Sequence, residues 1–359
     1  MQKRINLSLT VGLLFLLTGC PWYGSYEDCS FPGQVQNFTS INSPYDDYNM
    51  AAPFIEYQLM LNFSSNSNSY GQDFDVIARN AYIFCDRDNG ELTIDSRTNQ
   101  DMNYHAYLYS LLDMVNTPGN EMGPNSIVYH YWEGDEAYLN HLVFSTDTSG
   151  SQDLYDAWYL LERDADYDTL SEEYVLIRIN SLNTEANECY MGFYGDNFIN
   201  YSDWYNYPET IREIYFCSDR EGDYDIYQTD VPEGYDEILF FSADTVWPVE
   251  RNSTLNSDAD DKCPFINGRV MVFASDRAGG YGGFDLYYSR RQNNSWSAPK
   301  NFGEKINTAF DEYRPIVVMV SGFTNELMFF SSNRPGGSGG FDLYYTGIPA
   351  WTMEELKDE

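Results

Sequence analysis

The sequence predicts an all-β fold: a single closed β-propeller of four-stranded antiparallel blades, five blades counted and six allowed, with an N-terminal strand closing the last blade. Three observations lead there. The stretch Phe273 to Tyr288, FASDRAGGYGGFDLYY, returns 57 residues later as FSSNRPGGSGGFDLYY at Phe330 to Tyr345, with fainter copies at Phe216 to Tyr227, Phe144 to Tyr159 and Phe63 to Val76. Each reads as a β-hairpin, because paired glycines suit a turn that needs positive φ. Before each hairpin stands a second signature, Asn, then Ser or Thr, two free positions and two acidic or amide residues, starting at Asn42, Asn116, Asn183, Asn256 and Asn307. Finally, 32 Tyr and 26 Gly with little sustained helical periodicity fit an all-β chain rich in turns.

Residues 1–19 read as a signal peptide, with Lys3 and Arg4 ahead of an apolar run, Leu7 to Leu17, too short for a stable membrane span. The run ends in Leu17-Thr-Gly-Cys20, which resembles the bacterial lipobox, and the resemblance implies lipid attachment at Cys20. Residues 20–32 then form a lipidated tether, and the expected place is the outer membrane, with its periplasmic or cell-surface face undecided. Within 33–348, the predicted propeller, Gln34 to Asn42 resembles Lys300 to Asn307, which lies between one hairpin and the next signature. The early copy has no hairpin before it, and the last hairpin has no such strand after it. Ring closure answers both, and it removes exposed sheet edges.

Successive Asn signatures are spaced 74, 67, 73 and 51 residues apart, against a blade of about 40–50. The surplus lies at 78–115, 162–180 and 190–211, expected as long loops or extra strands carrying the binding function. Residues 349–359 form a tail in which Thr352 to Glu355 has the spacing of a capping box.

Without the first 19 residues, 18 basic residues stand against 56 acidic ones, a formal −38. Such a surface repels phosphate backbones and excludes nucleic acid as a partner. The repeated acids Asp75, Asp156, Asp225, Asp285 and Asp342 read as hairpin-fixing residues that accept backbone N–H bonds, since a functional site needs only one copy. Arg220, Arg277 and Arg334 are expected to pair locally. Alternate carboxylates at Asp164, Asp166 and Asp168 are the candidate calcium ligands, although Thr169 and Val175 exclude an EF-hand. No other cofactor is expected. Gly336 to Gly340 matches G-x-S-x-G only formally, in a hairpin whose twin has Tyr281 in place of Ser338. His105, His130 and His141 lack metal-pair spacing, and two of them, in or near insertions, read as ordinary surface residues. Five cysteines remain besides Cys20, and Cys189 with Cys217 is the expected pair.

The run Trp296-Ser-Ala-Pro, Asn301-Phe-Gly, Ile306-Asn-Thr, Asp311-Glu, Pro315, Phe330-Ser-Ser-Asn-Arg and Gly339-Gly-Phe-Asp-Leu-Tyr resembles the TolB-type, WD-like propeller repeat of Bacteroidetes envelope proteins. That resemblance implies a non-enzymatic platform, and its expected partner is an envelope protein of an outer-membrane complex, docked through acidic, Tyr-rich loops. The alternative is a glycan-binding or glycan-cleaving five-bladed propeller, since aromatics and carboxylates are what sugar recognition and hydrolysis use.

Overall fold

The structure, a computed structural model, describes residues 29–55, 58–86, 91–96, 103–133, 135–163, 170–195 and 211–351. Strand β1 (Gln36–Asn37) comes first. Blade 1 holds β2 (Asp47–Ala51), the short β3 (Phe54–Ile55), β4 (Gln58–Ser65), β5 (Asp75–Asp86) and β6 (Glu91–Ser96). Helix α1 (Asn103–Val115) leads to blade 2, made of β7 (Glu121–Glu133), β8 (Asp135–Thr146), β9 (Asp153–Arg163) and β10 (Leu170–Arg178). Blade 3 is β11 (Glu188–Gly195), β12 (Ile211–Ser218), β13 (Asp225–Asp230), helix α2 (Glu237–Phe241) and β14 (Glu250–Arg251). Blade 4 is β15 (Asp261–Asn267), β16 (Val270–Ser275), β17 (Asp285–Gln292), β18 (Ser295–Trp296) and β19 (Lys300–Asn301). Blade 5 takes β20 (Glu312–Val318), β21 (Glu326–Ser332) and β22 (Asp342–Ile348), and β1 is its fourth strand. The fold is a five-bladed β-propeller, as expected.

Closure follows the predicted route. Strand β1 pairs antiparallel with β22, Gln36 opposite Tyr345 and Asn37 opposite Tyr344, and the Phe38 N–H donates to the Leu343 carbonyl at 2.9 Å. The segment before β1 lies along blade 5, where Phe31 stacks on Phe323 at 4.1 Å. From there a disulfide joins Cys29 to Cys85 on β5, so a covalent bond links the blade 5 side of the seam to blade 1. This corrects the expected pair. Cys189 and Cys217 are register partners on β11 and β12, yet both are free buried thiols, as is Cys263.

The Asn signature is the seam between blades. Each Asn side chain brackets the third strand of the preceding blade, accepting from its N–H and donating to its carbonyl. Asn42 does so to Leu343, Asn116 to Val76, Asn183 to Leu154, Asn256 to Ile226 and Asn307 to Leu286, all at 2.7–3.0 Å. Backbone groups at a sheet end need a partner when buried, and the amide supplies both halves at once.

Two insertions hold strands, as the expectation allowed, and one also holds a helix. The stretch 78–115 is not mainly loop: it extends β5, adds β6 and ends in α1, whose Leu108, Leu111, Leu112 and Val115 pack against Val76, Leu142, Phe144 and Ala157 between blades 1 and 2. Part of 162–180 is the regular strand β10, paired with β9 from Leu170 to Arg178. Residues 196–210 lie outside the described residues, as do Cys20 and Thr352 to Glu355. Among the described residues, no helix is long and apolar enough to cross a membrane.

Candidate functional site: the channel mouth

The last acid of each signature opens an inner strand. Asp47, Glu121, Glu188, Asp261 and Glu312 are all buried. Each accepts from the Ser or Thr of its own signature, as Thr308 donates to Glu312 from its N–H at 2.8 Å and its hydroxyl at 2.6 Å. In blades 3, 4 and 5 a guanidinium completes the arrangement: Arg220 on Glu188, Arg277 on Asp261 and Arg334 on Glu312. Each of these arginines also lies over two rings of its own blade, as Arg334 does over Phe330 and Tyr344 at 5.1 and 5.0 Å. In blades 1 and 2 the corresponding positions are Ser67 and Thr148. Burial pushes the Asp47 carboxyl up and takes Glu121 to about 7.

Two residues further on, every inner strand bulges. The residue there has left-handed backbone, at Asn49, Gly123, Tyr190, Cys263 and Arg314, and the register slips at the same point in all five blades. Four of the five are not glycine, so the close packing around the axis holds a conformation that L-residues avoid. In blade 2 only glycine fits, because an added Cβ would stand 2.4 Å from the Tyr190 ring. Buried side chains thereby block the axis. Arg314 is wholly buried, and Tyr190 packs edge-on to Tyr313 at 5.9 Å.

Between acid and bulge lies one further residue per blade: Tyr48, Met122, Cys189, Lys262 and Tyr313. Together with the aromatic residues that close the hairpin turns, they form a girdle at the channel mouth. Tyr48 sits between Phe341 and Phe74, at 5.4 and 5.0 Å. The Lys262 ammonium lies 3.7 Å from the Tyr224 ring centre, 5.4 Å from that of Phe284 and 3.1 Å from Asp260. Phe284 meets Tyr313 edge-on at 5.1 Å.

Outside the girdle, the same end of the propeller exposes rings. Tyr70 is 81% exposed, Tyr281 48% and Phe310 42%. Tyr45 meets Tyr70 edge-on at 6.5 Å, beside Gly71. The Tyr281 turn lies against the loop holding Phe310, where a Cβ on Gly282 would come within 2.5 Å of the Phe310 carbonyl. On the turns and loops of this face, Asp73, Glu185, Glu221, Asp223 and Asp258 are exposed acids.

The repeated hairpin acids sit at the start of each third strand. Asp285 accepts from the N–H groups of Tyr281 and Gly282, at 2.7 and 3.3 Å, and Asp342 from those of Ser338 and Gly339, at 2.8 and 3.3 Å. Ser338 is therefore part of a hairpin turn. Asp225 pairs with Arg251, and Asp75 accepts from Asn68 at 3.0 Å. In blade 2 the register puts Asp153, not Asp156, opposite Thr146, and Arg178 pairs with it at 2.8 Å. Asp156 instead holds the Nδ1 of His141 at 2.9 Å. His141 is fully buried. His105 and His130 fall in α1 and β7. Asp164, Asp166 and Asp168 lie outside the described residues. Among those described, no cluster of His, Cys, Asp or Glu is arranged to hold a metal ion.

No family model matches the sequence, and no curated protein does. Solved structures do. An endo-arabinase from Bacteroides thetaiotaomicron aligns with a TM-score of 0.46 and 12% identity, covering 87% of this chain and 97% of the other. A mannoside phosphorylase family member described as targeting beta-1,2 mannosidic linkages in Candida mannan has a TM-score of 0.44 and 8% identity, over 92% and 99%. The catalytic domain of an alpha-L-arabinofuranosidase from Coprinopsis cinerea has a TM-score of 0.43 and 10% identity, over 89% and 97%. These findings correct three expectations. The aligned structures are described as glycoside hydrolases and not as TolB-type repeat proteins; the TolB-type resemblance, the non-enzymatic scaffold and the expected absence of enzyme activity are not carried further.

Proposed function

We propose that this propeller binds a glycan across the hairpin face and hydrolyses it. The observation that carries the reading is the set of exposed rings around the channel mouth, Tyr70, Tyr281 and Phe310, interleaved with exposed carboxylates. A pyranose or furanose presents a flat face of C–H groups to an aromatic ring and a rim of hydroxyls to carboxylates. Because buried side chains block the axis, the saccharide lies on the face rather than threading the ring. Hydrolysis uses two carboxyl groups, about 5–10 Å apart, flanking the scissile bond. The inner-strand acids are engaged with Ser, Thr and Arg, so the pair comes from the exposed acids of the turns. Held at the membrane by lipid on Cys20, such a protein would meet polymers at the envelope.

The test is a panel of plant, fungal and bacterial polysaccharides, read both by retention in affinity electrophoresis and by release of reducing ends. Retention of one polymer class with release of new reducing ends is expected. A protein that neither retains nor cleaves any member sinks the reading, and retention without cleavage removes its hydrolytic half.

A further inference from the structure

The Arg314 side chain crosses the axis from blade 5. Its two terminal nitrogens donate to the Pro264 carbonyl of blade 4 at 3.3 Å and the Pro124 carbonyl of blade 2 at 3.1 Å, and its carbon lies 5.7 Å from the Tyr190 ring centre of blade 3. A guanidinium offers five N–H donors. Here Nε has no partner, though the residue is fully buried. The ion pairs of the described residues do not include Arg314. Around it stand phenols and thiols, and burial holds Tyr190, Tyr313 and Cys263 in their neutral forms. None of them supplies a negative charge. A buried cation without a counter-ion costs far more than two peptide carbonyls return.

We infer that the axis binds a small monatomic anion, of which chloride is the available one, held by the unused N–H groups of Arg314. Arg314 is wholly buried among residues of blades 2, 3 and 4, and gluconate serves as the bulky anion for comparison.

Two measurements on the purified protein test this. Melting temperature is followed in sodium chloride and in sodium gluconate at equal ionic strength, and crystals soaked in sodium bromide are mapped at the bromine edge. We expect the melting temperature to rise saturably with chloride, the difference between salts to vanish in Arg314→Met, and a bromide peak to stand beside the guanidinium. Bromide peaks confined to the surface overturn the inference, as does a melting temperature indifferent to the exchange of salts. Should Arg314→Met fail to fold, the bromide map of the unaltered protein decides.

Discussion

Asn42 holds Leu343 from both sides. Its amide nitrogen donates to the Leu343 carbonyl at 3.0 Å and its amide oxygen accepts the Leu343 N–H at 2.8 Å, across 301 residues of chain. This is the same clamp that Asn256 places on Ile226 only 30 residues away. Removing either amide leaves two backbone groups without partners, at about 1–3 kcal/mol. Asn42→Ala and Asn256→Ala should therefore lower the melting temperature by similar amounts. If Asn42→Ala is silent while Asn256→Ala is not, the seam between blades 5 and 1 contributes nothing to stability.

The disulfide is the second lock on that seam. Cys29 and Cys85 are 56 residues apart, and closing a loop of that length is worth up to about 4 kcal/mol in the chain-entropy picture. Cys29→Ser with Cys85→Ser should unfold at clearly lower urea concentration, and reducing agent should shift the unaltered protein towards the same midpoint. Cys189, Cys217 and Cys263 should react with a thiol reagent only after unfolding, because all three are buried.

Much of this was readable in the residues, and what was not has physical reasons. The seams and the closure were legible because one Asn and one acid do the same job five times, so repetition stood in for contacts. Helix α1 left a legible trace, since Leu108, Leu111, Leu112 and Val115 have helical spacing, but it stands in a chain whose repeated signals are those of β-hairpins. Asp153 and Asp156 stand three residues apart on one strand, and only the register shows which one faces the turn. The left-handed bulges were invisible, because Tyr190, Cys263 and Arg314 are not residues that favour such backbone. Nothing local in the sequence announces Arg291 gripping Glu213 at 2.7 and 2.5 Å, 78 residues away.

Glu121 should make the protein less stable as pH rises. Its folded-state pKa is about 7, above the ordinary 4.5, because burial disfavours the charge and no arginine stands where Glu188, Asp261 and Glu312 have one. Below pH 4.5 the carboxyl is protonated in both states. Above 7 it is ionised in both, and the folded state bears the whole cost of the buried charge, on the order of 2–3 kcal/mol. The loss therefore develops as pH climbs from 4.5 to 7. Glu121→Gln keeps an oxygen acceptor for Thr117 and Thr146 and removes the charge, so melting temperatures measured from pH 4.5 to 8 should fall less steeply in that variant. An identical slope in both proteins would place the titrating group elsewhere.

The exposed rings can be separated from the fold. Tyr70 and Tyr281 stand on turns of blades 1 and 4, and neither contributes to the buried cores. Tyr70→Ala and Tyr281→Ala should leave the melting temperature within a degree or two. Each should weaken retention on the bound polysaccharide about tenfold, the scale of an aromatic anchor in an interface. Because the rings are on different blades and share no neighbour, the double variant should lose about a hundredfold, as independent sites add in free energy. A double variant no weaker than either single one would mean that the glycan touches only one of the two turns.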